Sequence, residues 1–278
     1  MGSEFRAERS ESRGGKPQSN SSHARSRDTL FPLTSLPFPL LPRPARYNYQ
    51  VRIVEIYQSI QGEGRLTGTP SVFVRASGCN LRCWFCDTPY ASWKPEGEDW
   101  AVDEIVAEVL QHDAGHVVLT GGEPMLFAEM IPLCERLHEL RRHITIETAG
   151  TLYLPLHCDL VSISPKLTGS APNPETAGRW HERHEQSRHA PEVIRRLTEE
   201  HDYQLKFVID QPADVEAVEH WLDEFPHLAD ENVWLMPQGV EPSVLAATSA
   251  WLEPQCRLRG WNFCPRKHIE WFGATRGT

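Results

Sequence analysis

From residue 51 onward the chain repeats one unit: a short β-branched, apolar run, then a polar or glycine-rich cluster, then a segment with helical spacing. The runs at 51–57, 71–76, 116–119, 143–147, 159–163, 204–209 and 232–236 predict strands, and 268–272 predicts one more. Helical spacing covers 102–111, 127–140, 191–200, 212–225 and 243–252, while 168–189 reads as a long polar loop. Strands this apolar, alternating with helices, belong to a parallel sheet covered on both faces. There are about six such units where a closed barrel has eight, so the expectation is an incomplete (β/α)6-type partial TIM barrel. A doubly wound open sheet is the alternative. The polar clusters all fall just after strands, where (β/α) barrels keep their active sites.

The first 46 residues break this pattern. They are rich in Ser, Arg and Pro, and their one apolar stretch, 30–44, is punctuated by prolines that a helix does not accept. They lack the basic start and unbroken apolar core of a signal peptide, and Gly2-Ser3-Glu4-Phe5 reads as a cloning scar. The expected organisation is a disordered extension over 1–46 and one domain over 47–278. The extension carries eight Lys or Arg against four Asp or Glu; of the chain's 28 basic and 38 acidic residues the domain therefore holds 20 and 34. A domain that acidic does not bind nucleic acid through its charge. No apolar run is long enough to span a bilayer. Seven cysteines, an odd number, point to a reducing, cytoplasmic setting and small-molecule partners.

Three of those cysteines, Cys79, Cys83 and Cys86, stand in C-x3-C-x2-C spacing with Phe85 before the last. Three thiolates are one short of a closed tetrahedral zinc site or a fully ligated iron–sulfur cluster. A structural zinc site needs a second ligand pair, and Cys134, Cys158, Cys256 and Cys264 are scattered without ligand spacing. A 4Fe–4S cluster on three cysteines keeps one iron open. That iron can hold the amino and carboxylate groups of S-adenosylmethionine, which one electron then splits to a radical. The spacing resembles that of the radical S-adenosylmethionine superfamily. The turn Thr120-Gly121-Gly122-Glu123-Pro124 strengthens the reading: its small residues admit the methionine end of the cofactor, and Glu123 can accept from the ammonium group.

The resemblance narrows with Glu55-Ile56-Tyr57, Ser59-Ile60-Gln61-Gly62-Glu63-Gly64, Phe73-Val74-Arg75 and Cys86-Asp87-Thr88. Glu147-Thr148, Ser164-Pro165-Lys166 and Trp234-Leu235-Met236-Pro237-Gln238-Gly239 continue it. Together they are similar to the 7-carboxy-7-deazaguanine synthase family, from about residue 51 to the end. The resemblance implies a lyase that contracts 6-carboxy-5,6,7,8-tetrahydropterin to 7-carboxy-7-deazaguanine with release of ammonia, on the route to 7-deazapurines such as queuosine. It implies a 4Fe–4S cluster, S-adenosylmethionine that is regenerated, Mg2+, a flavodoxin-like or ferredoxin-like electron donor and a homodimer. Residue by residue, Cys79, Cys83 and Cys86 hold the cluster. Phe85, Cys86, Asp87, Gly122, Glu123, Ser164, Pro165 and Lys166 line the S-adenosylmethionine site. Ile60, Gln61, Gly62, Arg75, Thr120 and the C-terminal Thr278 hold the pterin, and Thr88 ligates magnesium. No catalytic side chain is implied, because the cofactor carries the radical.

These residue types suit that chemistry. Arg75 offers a fork of donors to the substrate carboxylate, Gln61 can donate and accept at a ring edge, and a Thr hydroxyl is a hard oxygen of the kind Mg2+ takes. The rival is an activase that makes a glycyl radical on a partner protein with the same cluster. His181, His184 and His189, inside the polar loop, match no part of the family pattern and read as a solvated segment rather than a metal site.

Overall fold

The computed structural model describes residues 50–278; the extension expected over 1–46 lies outside the described residues. Nine strands and eight helices follow in order: β1 (Gln50–Ile60), β2 (Pro70–Ala76), β3 (Glu98–Ala101), α1 (Val102–Val109), β4 (His116–Gly121), α2 (Met130–Glu139), β5 (His143–Thr148), β6 (Leu160–Ile163), α3 (Pro174–Ala177), α4 (Arg179–Ser187), α5 (Pro191–Glu200), β7 (Tyr203–Ile209), α6 (Pro212–Asp223), β8 (Val233–Pro237), α7 (Pro242–Arg259), β9 (Asn262–Phe263) and α8 (Lys267–Phe272). They build one sheet in the order β3-β1-β2-β4-β5-β6-β7-β8-β9. From β2 to β9 every pair is parallel, and β1 is antiparallel to both β2 and β3. The two outermost strands do not pair with each other, so the barrel is incomplete, as the sequence pattern predicts.

The alternation of side chains divides this sheet into two chemistries. Val72, Val74, Val117, Leu119, Ile144, Ile146, Val161, Ile163, Leu205, Phe207 and Leu235 point outward and pack with Ile105, Leu133, Leu137, Leu197, Val218 and other helix residues in one core. Burying each such side chain contributes roughly 1.5–3 kcal/mol. The stabilising core therefore lies between sheet and helices, and the inner face is free to be polar. The register places Glu55 beside Arg75, Arg75 beside Thr120, Glu147 beside Ser162 and Ser162 beside Gln204 on that inner face.

Four local expectations change. Residues 268–272 form helix α8 rather than a strand. The sheet edge is already taken by β9, and the next segment turns back so that the Lys267 N–H donates to the Gly62 carbonyl at 2.9 Å. Helices α3 and α4 occupy most of the polar loop predicted at 168–189, because His184 is completely buried there. The last long helix runs on to Arg259, past the residue 252 expected for its end. Helix α2 begins only at Met130, after a single helical turn at Pro124–Leu126.

Candidate active site

The loop after β2 carries the three cysteines and makes little structure of its own. Among its backbone bonds only Cys86 N–H to the Cys83 carbonyl, at 3.4 Å, is internal to Cys79–Cys86. Arg82 Nη1 adds bonds to the Cys79 and Leu81 carbonyls, and outside partners brace the rest: Trp93 Nε1 donates to the Cys83 carbonyl at 3.1 Å, and Asn80 Nδ2 to Thr151 Oγ1 at 2.9 Å. Cys79, Cys83 and Cys86 all line one wall of a cavity of about 340 Å³ at the C-terminal ends of the strands. Such a volume suits a small ligand. Burial pushes the Cys79 thiol up to about 12 and the Cys83 thiol to about 11, and the Cys86 thiol reinforces both shifts. Free of metal, these thiols hold their protons at neutral pH; a metal centre must displace them.

The donor set suits a cluster better than zinc. Among the described residues, no three His, Cys, Asp or Glu side chains are arranged around a single ion. A cubane takes each thiolate on a different iron, so three separated thiols on one wall are what it needs.

The Thr120–Pro124 turn differs from the expectation in its reasons. A Cβ on Gly122 would stand 2.2 Å from the Gly78 carbonyl oxygen, so the missing side chain admits the cysteine loop while the residue still lines the cavity. Glu123 is fully buried and does not face the cavity. Its carboxylate accepts from Met125 N–H at 3.0 Å, Ala149 N–H at 2.8 Å and Thr148 Oγ1 at 2.9 Å. Burial raises its pKa against the pull of those donors. Glu123 therefore ties the β4 turn to the end of β5 and is withdrawn as an ammonium acceptor. Gly62 is similar: its missing Cβ makes room for His268, 2.5 Å away at the backbone nitrogen. Pro165 is corrected too, since it faces a separate, smaller cavity behind Trp84 and Phe85.

The other predicted residues converge. Ile60, Gln61, Gly62, Arg75, Thr120 and Thr278 line the main cavity, as do Phe85, Asp87, Thr88, Gly122, Ser164 and Lys166. Arg75 donates from Nε to Glu55 at 2.7 Å and from Nη2 to the Tyr57 hydroxyl at 3.0 Å. Both charged side chains are mostly buried, and these partners hold the Arg75 pKa above its ordinary value although burial opposes it. Three of its five N–H groups are left for another acceptor. Gln61 Nε2 donates to Glu147 at 3.1 Å, and Thr120 Oγ1 donates to the same carboxylate at 3.4 Å.

Four residues of this site escape the sequence reading. Lys206, on β7, is buried with its Nζ 2.9 Å from Glu63 and 3.3 Å from Glu147. Burial alone would lower the Lys206 pKa, but the two carboxylates raise it. Glu63 is held low by Lys206, Arg266 and His268 against its own burial. Arg266 joins three segments, donating to Glu63 at 3.3 Å, to the Gly239 carbonyl at 2.7 Å and to Asp87. The C-terminal tail closes the rim: Arg276 bonds Glu55 at 3.1 Å and Glu96 at 2.9 Å, and lies 4.1 Å over the Tyr90 ring. A lysine inside the apolar run Gln204–Ile209 was the signal available for Lys206. Arg266 carried none, because its partners are distant in sequence.

The Radical SAM superfamily profile matches residues 73–206. The 7-carboxy-7-deazaguanine synthase of Rhodopirellula baltica is 44% identical over 227 residues, covering 81% of this chain and 88% of that protein. The synthase of Halobacterium salinarum is 43% identical over 227 residues, covering 78% and 88%. In fold the chain is similar to the crystal structure of QueE from Escherichia coli, with a TM-score of 0.59 and 24% identity over 77% of this chain and 93% of that one. The chain belongs to the 7-carboxy-7-deazaguanine synthase family.

Proposed function

We propose that the chain converts 6-carboxy-5,6,7,8-tetrahydropterin to 7-carboxy-7-deazaguanine with release of ammonia, a step of queuosine-type 7-deazapurine synthesis. The observation that carries this reading is one cavity with three thiols on one wall and a hydrogen-bonding layer of Gln61, Arg75, Thr120 and Glu147 among its other lining residues. A 4Fe–4S cluster with S-adenosylmethionine, once held there, would supply the radical chemistry that starts the rearrangement.

Cys79, Cys83 and Cys86 hold the cluster. Phe85, Asp87, Gly122, Ser164 and Lys166 hold S-adenosylmethionine, with Asp87 steadied by Arg266. The substrate has two polar ends. Arg75 directs its free N–H groups at the carboxylate, and the Glu55 and Tyr57 bonds fix the plane of the guanidinium. Glu147, Gln61 and Thr120 offer acceptors and donors to the ring edge. Lys206 helps to keep Glu63 ionised and pairs with Glu147 at 3.3 Å. Ile60 and Phe73 supply apolar wall, and the tail through Thr278 lines the rim. Thr88, beside Cys86, is the proposed Mg2+ ligand together with substrate oxygens. The protein works as a homodimer and takes its electron from a flavodoxin-like or ferredoxin-like protein. No helix of the described residues is long and apolar enough to cross a membrane. All seven cysteines are free thiols, which suits a reducing compartment.

A glycyl-radical activase is not favoured. It has no use for a small cavity whose Arg, Gln, Thr and Glu side chains suit a planar acid. The test is anaerobic turnover by the iron- and sulfide-reconstituted chain, with S-adenosylmethionine, a reductant and the carboxylated tetrahydropterin as the sole substrate. Deazaguanine product and ammonia in equal amounts, without net loss of S-adenosylmethionine, are expected. Stoichiometric consumption of S-adenosylmethionine without product would contradict the assignment.

A further inference from the structure

Beyond the Ser164-Pro165-Lys166 turn, residues 168–190 have no part in the chemistry above, yet they are fastened to the back of the cysteine loop. His184, on α4, is completely buried. Its Nδ1 lies 3.1 Å from the Arg82 backbone N–H and its Nε2 lies 2.9 Å from Ser170 Oγ. A backbone N–H only donates, so Nδ1 carries no proton and Nε2–H donates to the serine. His184 is therefore a single neutral tautomer spanning two loops.

The same segment grips the loop at further points. The Arg82 guanidinium lies 4.0 Å over the Trp180 ring while its Nη1 donates to the carbonyls of Cys79 at 2.7 Å and Leu81 at 2.6 Å. Trp84 donates its backbone N–H to the Ser170 carbonyl at 3.2 Å and its indole N–H to the Gly169 carbonyl at 3.0 Å. The segment is itself anchored, since Arg188 reaches the Lys166 carbonyl at 3.3 Å and Thr168 Oγ1 at 3.2 Å. Arg82 and Trp84 flank Cys83 on both sides. Only one backbone bond closes within the loop, and its main internal brace, Arg82, is itself held by His184 and Trp180, so the segment helps to set the positions of the sulfurs.

We propose that residues 169–184 form a clamp that presets the cysteine loop for its cluster, with His184 as the positioning residue. The inference rests on the reading that Cys79, Cys83 and Cys86 hold that cluster. The buried His184 ring turns the Arg82 N–H away from the cavity and satisfies it. An apolar replacement frees this N–H and loosens the Cys79–Cys83 span; Asn offers Oδ1 where Nδ1 stood and restores the acceptor. The other two histidines have separate local partners, His181 at the Pro172 carbonyl and His189 at Glu224, so the trio is not a metal site.

The experiment compares wild type, His184→Leu and His184→Asn after anaerobic reconstitution with iron and sulfide. It follows iron lost to a chelator, the paramagnetic resonance spectrum of the reduced cluster and its midpoint potential. His184→Leu is expected to lose iron on the order of 10-fold faster and to shift spectrum and potential, with His184→Asn returning all three toward wild type. Iron loss and spectrum unchanged in His184→Leu overturn the clamp, as does His184→Asn behaving no better than Leu. If His184→Leu does not fold, Ser170→Ala carries the test, with faster iron loss supporting the clamp and unchanged loss overturning it. Wild type that takes up no cluster sinks the cysteine assignment itself, and the clamp with it.

Discussion

The inner face of the sheet has two layers built on the same strands, and they treat polar side chains in opposite ways. In the lower layer, Ser71 Oγ meets His116 Nδ1 at 2.7 Å and His116 Nε2 meets Thr145 Oγ1 at 2.8 Å. Two or four residues further along these strands, the upper layer holds Arg75, Thr120 and Glu147, with Lys206 beside them on β7. The lower groups satisfy one another and close the floor. The upper groups are charged, only partly satisfied by protein, and open to the cavity. Strand direction alone separates a polar layer that stabilises the barrel from one able to bind a ligand. The capacity for recognition lies where hydrogen-bond donors are left over, as at Arg75.

The contrast breaks most severely at Lys206. Lys206→Met leaves Glu147 without its cation and Glu63 with Arg266 alone to balance it, at about 3–5 kcal/mol of stability, and abolishes turnover; chemical denaturation and an activity assay check both. Arg75→Ala is the more selective upper-layer change. It is expected to weaken the pterin by about 1.5–3 kcal/mol and S-adenosylmethionine far less, as measured by calorimetry. Equal weakening of the two removes Arg75 from the substrate side.

In the lower layer, His116→Phe strands the Thr145 hydroxyl, while Ser71 keeps the Thr69 carbonyl at 2.8 Å, at about 1–3 kcal/mol of stability. Folded His116→Phe protein keeps its kcat/KM, the reverse of the upper-layer pattern. The smallest effect is pH dependence of the cluster-free protein. Burial and the neighbouring His143 bring the His116 pKa down to about 4 from an ordinary 6.5. The unfolded chain then binds the proton more readily, so this contribution is intact above about pH 6.5 and is lost as pH falls toward 4, by about 1 kcal/mol or less per pH unit. Denaturation midpoints across that range should fall more steeply in wild type than in His116→Gln.

Much of this architecture could be read from the chain, because outward-facing Val, Ile and Leu every second residue report a covered sheet directly. The cysteine spacing and the strand-end position of Arg75 and Thr120 were legible for the same reason: they depend on local order. Glu123 stood in a recognisable motif, yet packing between loops, not the cavity, accounts for it. Lys206 and Arg266 stayed hidden since their meaning comes from Glu63, Glu147 and Asp87, brought near only by the tertiary fold. His184 was hidden differently, by a charged helix whose single buried side chain left no periodic trace.

The central claim is that three cysteines leave one iron open to S-adenosylmethionine at the edge of the charged layer. Its most direct test is the paramagnetic resonance spectrum of the reduced, reconstituted chain before and after S-adenosylmethionine is added. A 4Fe–4S signal that changes on addition, and is absent in Cys83→Ala, is the predicted result. A cluster signal indifferent to S-adenosylmethionine, or bound zinc in place of iron, contradicts it.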